Sequence, residues 1–142
     1  MTTPITGGCG CGAVLFEVSS PFLSSGYCHC TRCQRRTGTA SSANARAEPG
    51  SVRVVQGQEH LRGWVPEGGR EKVFCILCGS ALFSCDPGTG EYTGVRLGVV
   101  DGDPGIRPQS RAFVTYAAAW EAIPDDGLPR YGEARPGYEQ GR

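Results

Sequence analysis

The sequence lacks what a membrane protein, a polyanion binder or a secreted protein would need. No apolar run approaches the ~18–20 residues required to cross a bilayer. The opening residues, Met1 to Gly8, show no basic stretch followed by an apolar one, so no secretory leader is expected. Neither sign of charge is in surplus. The 14 basic and 14 acidic residues give a formal net charge of +0, whereas a general nucleic-acid binder carries a basic excess. Aromatic residues make up only 8% of the chain, and no stretch holds a 3.6-residue apolar period for long. A cytoplasmic protein is expected, with no nucleic-acid or membrane partner and few long helices.

What the chain does have is turns and thiols. Its 142 residues include Gly 22, Pro 10 and Cys 8. The length suits one domain. Strand signals run from Ala13 to Val18, Ser51 to Val55, His60 to Trp64, Glu71 to Phe74, Ser80 to Ser84, Tyr92 to Val100 and Arg111 to Tyr116. Ser51–Val55 and His60–Trp64 flank a Gln56-Gly57 turn, and Asp86-Pro87-Gly88-Thr89-Gly90 is strong turn chemistry. Single helical turns are expected at Arg32–Thr37 and Ala117–Glu121. The organised unit is read as 5–132, with 133–142 a flexible tail. The fold class is all-β with short sheets.

In the reducing cytoplasm clustered cysteines read as metal ligands rather than disulfides. Cys9-Gly10-Cys11 is one pair, Cys28-His29-Cys30-Thr31-Arg32-Cys33 a triple, Cys75-Ile76-Leu77-Cys78 a second pair, and Cys85 stands alone. A closed tetrahedral site takes four ligands. If each cluster acts whole, only pair plus pair gives four, so Cys9, Cys11, Cys75 and Cys78 form the expected structural zinc site. Gly79 allows the tight turn of its second knuckle. The triple then offers three thiolates and an open position, which is the pattern of a catalytic zinc. Soft donors of this kind suit zinc. A closed second site would draw its fourth ligand from His29, His60 or Cys85. His29 lies between two ligands, and an extended segment turns it to the opposite face. A Cys30–Cys33 redox pair is a weaker reading, because no βαβ context surrounds it.

Three ordered stretches carry a resemblance: Gly8-Cys9-Gly10-Cys11-Gly12-Ala13-Val14, Cys28-His29-Cys30-Thr31-Arg32-Cys33-Gln34-Arg35, and Phe74-Cys75-Ile76-Leu77-Cys78-Gly79-Ser80-Ala81-Leu82. With the block Val95–Asp101 and with Trp120, they resemble the glutathione-dependent formaldehyde-activating enzyme and centromere protein V family over about residues 5 to 132. The resemblance implies a β-tent fold of short antiparallel sheets organised around two zincs, one on each cysteine group. It also implies carbon–sulfur lyase activity, run toward condensation of glutathione with formaldehyde. Two departures stand out. Gln34-Arg35-Arg36 follows the triple where many relatives have Arg-Lys, and Arg111-Ala112-Phe113 stands where relatives often carry a His-Ile-like pair.

The expected chemistry is thiol activation. A thiol bound as thiolate at neutral pH is a ready nucleophile for an aldehyde carbon. Cys28, Cys30 and Cys33 would hold the second zinc, and Arg32, Arg35 and Arg36 are candidates for pairing with glutathione carboxylates. Glu17, Arg96 and Asp101 are weaker polar candidates. The competing reading is a non-catalytic zinc-stabilised module that binds a thiol metabolite or a protein partner. Oligomeric state is not readable from the sequence.

Overall fold

The computed structural model describes residues 3–138. Ten short strands form two sheets. The smaller holds β1 (Ile5–Gly8), β2 (Leu15–Val18) and β5 (Val52–Gln56), in the order β1-β2-β5. The larger has seven strands in the order β10-β3-β4-β9-β8-β7-β6. Its members are β3 (Ser24–Cys28), β4 (Ser42–Arg46), β6 (Leu61–Trp64), β7 (Glu71–Cys75), β8 (Ala81–Cys85), β9 (Tyr92–Arg96) and β10 (Arg111–Ala112). Every pairing is antiparallel except β10 on β3, which is parallel. The fold is therefore all-β with short antiparallel sheets, as the sequence suggests.

The core lies where the sheets meet. Val14, Phe16 and Val18 come from the small sheet and its approach, and Ala45, Val73, Phe83 and Val95 from the large one; all are buried. Alternation places these residues on one face of each strand. Phe16 meets Phe83 edge-to-face at 5.0 Å, and Phe83 stacks on Tyr92 at 4.6 Å. Burying each phenylalanine stabilises the fold by roughly 1.5–3 kcal/mol.

The Gln56-Gly57 turn forms between the two expected strands, and the chain changes sheets there: β5 pairs with β2 and β6 with β7. Gly57 is required at this crossing. Its φ is +82°, and a Cβ would run into the Ala13 carbonyl. The Tyr92–Val100 strand stops at Arg96 and gives way to a 3-10 turn at Leu97–Val99. The Arg111–Tyr116 strand keeps only Arg111–Ala112 before a 3-10 turn at Val114–Tyr116, and residues 117–121 are not helical. The short helix does form, as α1 (Thr31–Thr37), capped by Gly38 at φ 69°.

Of segment 133–142, residues 139–142 lie outside the described residues. Within 133–138, the Glu133 carbonyl accepts from the Phe113 N–H at 2.9 Å. Tyr138 Oη lies 3.2 Å from Ser24 Oγ, and its ring sits under the Arg46 and Arg135 guanidiniums.

Candidate metal centres and an adjoining cavity

The two cysteine pairs come together from opposite ends of the sheet system. Cys9 and Cys11 follow β1, while Cys75 ends β7 and Cys78 lies in the turn before β8. Each knuckle is a tight backbone turn. The Gly12 N–H bonds the Cys9 carbonyl at 3.1 Å, and the Gly79 N–H bonds the Cys75 carbonyl at 2.7 Å. Gly79 sits at φ +78°, the left-handed region a side chain would resist. A cross-link stitches the knuckles together, because the Gly10 N–H donates to Ser80 Oγ at 2.8 Å.

The four sulfurs lie within 4.8 Å of one another. Cys9 and Cys11 Sγ are 3.6 Å apart, and Cys11 and Cys75 Sγ 4.0 Å. A tetrahedral zinc with Zn–S bonds of ~2.3 Å would set its sulfurs about 3.8 Å apart, so this donor set fits the ion. Cys75 is fully buried and Cys9 nearly so, whereas Cys11 and Cys78 are exposed. The Ser80 hydroxyl and N–H hold the Cys78 thiol down to about 5, which favours the thiolate a metal requires.

Cys28, Cys30 and Cys33 form the second group, their sulfurs also within 4.8 Å. β3 delivers Cys28, and α1 delivers Cys33. Cys30 caps that helix, its Sγ accepting from the Cys33 N–H at 3.3 Å. Hydrogen bonds from Cys28, then Cys30, hold Cys33 down to about 2, and the bond with Cys30, then that with Cys33, pushes Cys28 far above an ordinary thiol. Three thiolates this close repel one another, and a thiophilic metal among them would offset that repulsion.

No other candidate ligand joins the triple among the described residues. His29 is buried facing away, its Nε2 3.2 Å from an Arg111 guanidinium nitrogen. Arg111 in turn pairs with Asp126 at 2.7 Å and covers the Tyr27 ring at 4.2 Å. His60 lies 3.5 Å from Glu59, and Cys85 is buried with its thiol pushed up by desolvation and by Glu71.

The three sulfurs line a cavity of about 170 Å³. Its charge is one-sided. Arg32, Arg46, Arg70, Lys72, Arg96 and Arg135 line it, and no aspartate or glutamate among the described residues does. A chain of zero net charge has gathered six of its cations around one space. Of the three arginines flagged near the triple, Arg32 lines the cavity. Arg35 and Arg36 line a neighbouring depression with Thr31 and Trp64, where Arg36 lies over the Trp64 and Phe74 rings at 5.8 and 5.9 Å. Arg96 joins the cavity wall and hydrogen-bonds Asn44. Glu17 pairs with Arg53 on the surface, and Asp101 accepts from Thr6. Sequence reading missed Arg46, Arg70, Lys72 and Arg135. They are scattered along the chain, and strand register, not spacing, brings Arg46 and Lys72 to one wall.

Comparison with known proteins follows the same pattern. A family model described as glutathione-dependent formaldehyde-activating enzyme matches residues 4–116. A protein of Halomonas elongata, named on provisional grounds a glutathione-dependent formaldehyde-activating enzyme, is 31% identical over 96% of this chain and 99% of its own. A crystal structure of a Rhodobacter sphaeroides protein is similar with a TM-score of 0.54 and 27% identity. That match covers 89% of this chain and 98% of that one.

Proposed function

The chain belongs to the glutathione-dependent formaldehyde-activating enzyme family, and from that premise we propose that it condenses a small acidic thiol with formaldehyde or a related aldehyde. The family's pair is glutathione and formaldehyde, and the product is an S-hydroxymethyl adduct. In lyase terms this is carbon–sulfur bond formation. The sulfur lone pair forms the C–S bond, the carbonyl π pair moves to oxygen, and that oxygen takes a proton equivalent to the one the thiol gave up.

The observation that carries this reading is the opening of Cys28, Cys30 and Cys33 onto a cavity rich in cations and, among the described residues, free of carboxylates. We assign zinc to both cysteine groups, structural on Cys9, Cys11, Cys75 and Cys78. When bound by the triple, zinc lowers the pKa of a coordinated thiol and makes thiolate available at neutral pH. The chain's own groups do the rest. Arg32 and the other wall cations hold the substrate's acidic groups and aim its sulfur at the triple. Confinement beside the aldehyde replaces a bimolecular encounter by a positioned one. The reactants are small molecules met in the reducing cell interior, and neither nucleic acid nor membrane takes part.

The test follows loss of formaldehyde in the presence of glutathione, against the spontaneous reaction. The metal-loaded protein should exceed the background, and Cys30→Ser should fall to it with its circular dichroism unchanged. A loaded wild-type protein that never exceeds background, yet binds glutathione, would replace the enzyme by a thiol-binding module.

A further inference from the structure

Lys72 is the sole lysine of the chain, and it is only 5% exposed. Lysines are almost never buried this far unless paired. Among the described residues no carboxylate pairs with its ammonium and no hydrogen-bond acceptor reaches it. Its neighbours make matters worse: burial first, then repulsion by Arg96, pushes its pKa down to about 8, with Arg32 and Arg36 acting the same way and the Cys33 sulfur opposing them. An unpaired buried cation costs several kcal/mol unless something compensates it. Its ammonium faces a cavity walled by other cations, a setting that suits an acidic ligand.

The sheet register defines the shape of that wall. Lys72 on β7 is opposite Ser84 on β8, Ser84 opposite Gly94 on β9, and Gly94 opposite Arg46 on β4. Directly opposed residues point to one face, and all four line the cavity. The two middle positions are among the smallest side chains available, and a Cβ on Gly94 would stand 3.0 Å from the Ser84 Cβ. The row is therefore a trough with a cation at each end. Arg96, two residues along β9, lies on the same face, and Arg70 leans in with its Nε buried and unpartnered.

We propose that this trough selects the thiol: the substrate carries at least two acidic groups, held by Lys72, Arg96 and Arg70, and has its amine acylated or absent. The second half follows from the same wall. Glutathione carries an ammonium as well as two carboxylates, and among the described residues the cavity offers that ammonium no carboxylate partner while surrounding it with positive charge. Blocking the amine removes the repulsion and raises the net negative charge. The inference rests on the thiol-condensing reading only for the position of the sulfur.

Isothermal titration calorimetry on the metal-loaded protein tests it with S-methylglutathione, N-acetyl-S-methylglutathione and the diethyl ester of the latter. None has a free thiol, so binding is scored independently of condensation. The N-acetyl probe should bind about tenfold tighter than S-methylglutathione, the change one charge-assisted contact makes, and the diester should not bind. Lys72→Met should lower the affinity of the N-acetyl probe about tenfold with circular dichroism unchanged, and Ser84→Leu should fill the trough and abolish binding. Equal or tighter binding of S-methylglutathione, or a Lys72→Met protein of undiminished affinity, overturns the proposal. The expected binding order without thiol–aldehyde condensation would leave the trough standing and remove the enzyme reading. Condensation with no selectivity among the probes would do the reverse.

Discussion

Lys72→Met should make the protein more stable. Folding moves this lysine from water to a site 5% exposed and lowers its pKa from 10.5 to about 8. Each unit is worth ~1.4 kcal/mol, so the protonated side chain costs the folded protein up to about 3.5 kcal/mol. Methionine keeps the unbranched stem and packs flexibly in irregular space, yet it recovers only part of that sum, because the trough is open to water. A net gain of about 1–2 kcal/mol is expected, or a rise in Tm of roughly 3–8 °C for a chain this size. The pH dependence identifies the cause. Because the folded pKa lies below the unfolded one, the unfolded chain holds the proton more tightly, and the penalty is whole below about pH 8. It shrinks as the ammonium loses its proton and is gone above the unfolded value near 10.4. Thermal melts of both proteins at pH 7 and pH 10.5 should therefore show a gap at the first and near coincidence at the second. A less stable variant at pH 7, or a gap of equal size at both, would refute the argument that the buried charge is the source.

Three further outcomes follow from the geometry. Phe83→Ala removes the ring that Phe16 and Tyr92 both pack on and should cost about 3–5 kcal/mol in urea unfolding. Cys75→Ser breaks a junction between segments 64 residues apart; because the zinc proposed there would contribute on the order of 10 kcal/mol to folding, the variant should lose its cooperative melt, as should the wild type treated with a strong chelator. Asp126, whose carboxyl Arg111 holds below the usual range, stabilises the fold above the ordinary carboxylate pKa. That contribution should fade as pH falls through the depressed value, so Asp126→Asn should flatten the acid limb of the stability profile.

The cysteine groups were legible because spacing along the chain is a local property. Cys9-Gly10-Cys11 and Cys75-Ile76-Leu77-Cys78 announce their turns in the chain itself, and counting to four pairs them. β2, β5, β7 and β9 were legible through alternating β-branched and aromatic residues such as those of Leu15–Val18 and Tyr92–Arg96. β3 and β4 were not. Their sequences, SSGYC and SANAR, are made mostly of small and polar residues with little strand preference, and each is held by neighbours on both sides. The cavity wall was hidden for a related reason. Arg46, Lys72 and Arg96 acquire a common direction only through the pairing of β4, β7, β8 and β9, and no spacing in one dimension records a register across four strands. Arg32 was found because it sits inside a motif; Lys72, in the unremarkable run Glu71-Lys72-Val73, was not.

That single lysine also gives the protein a chemical address. Apart from the chain's own α-amine it is the one primary amine an acylating reagent can find, and it lies in the wall of the cavity onto which the triple opens. A small reagent that enters the cavity should modify this one side chain, and an acidic ligand seated against it should slow the modification. Peptide mapping of the acetylated chain over time would read occupancy of the cavity at one residue, without isotopes or spectroscopy. A solid support, too large to enter, would couple through the α-amine instead.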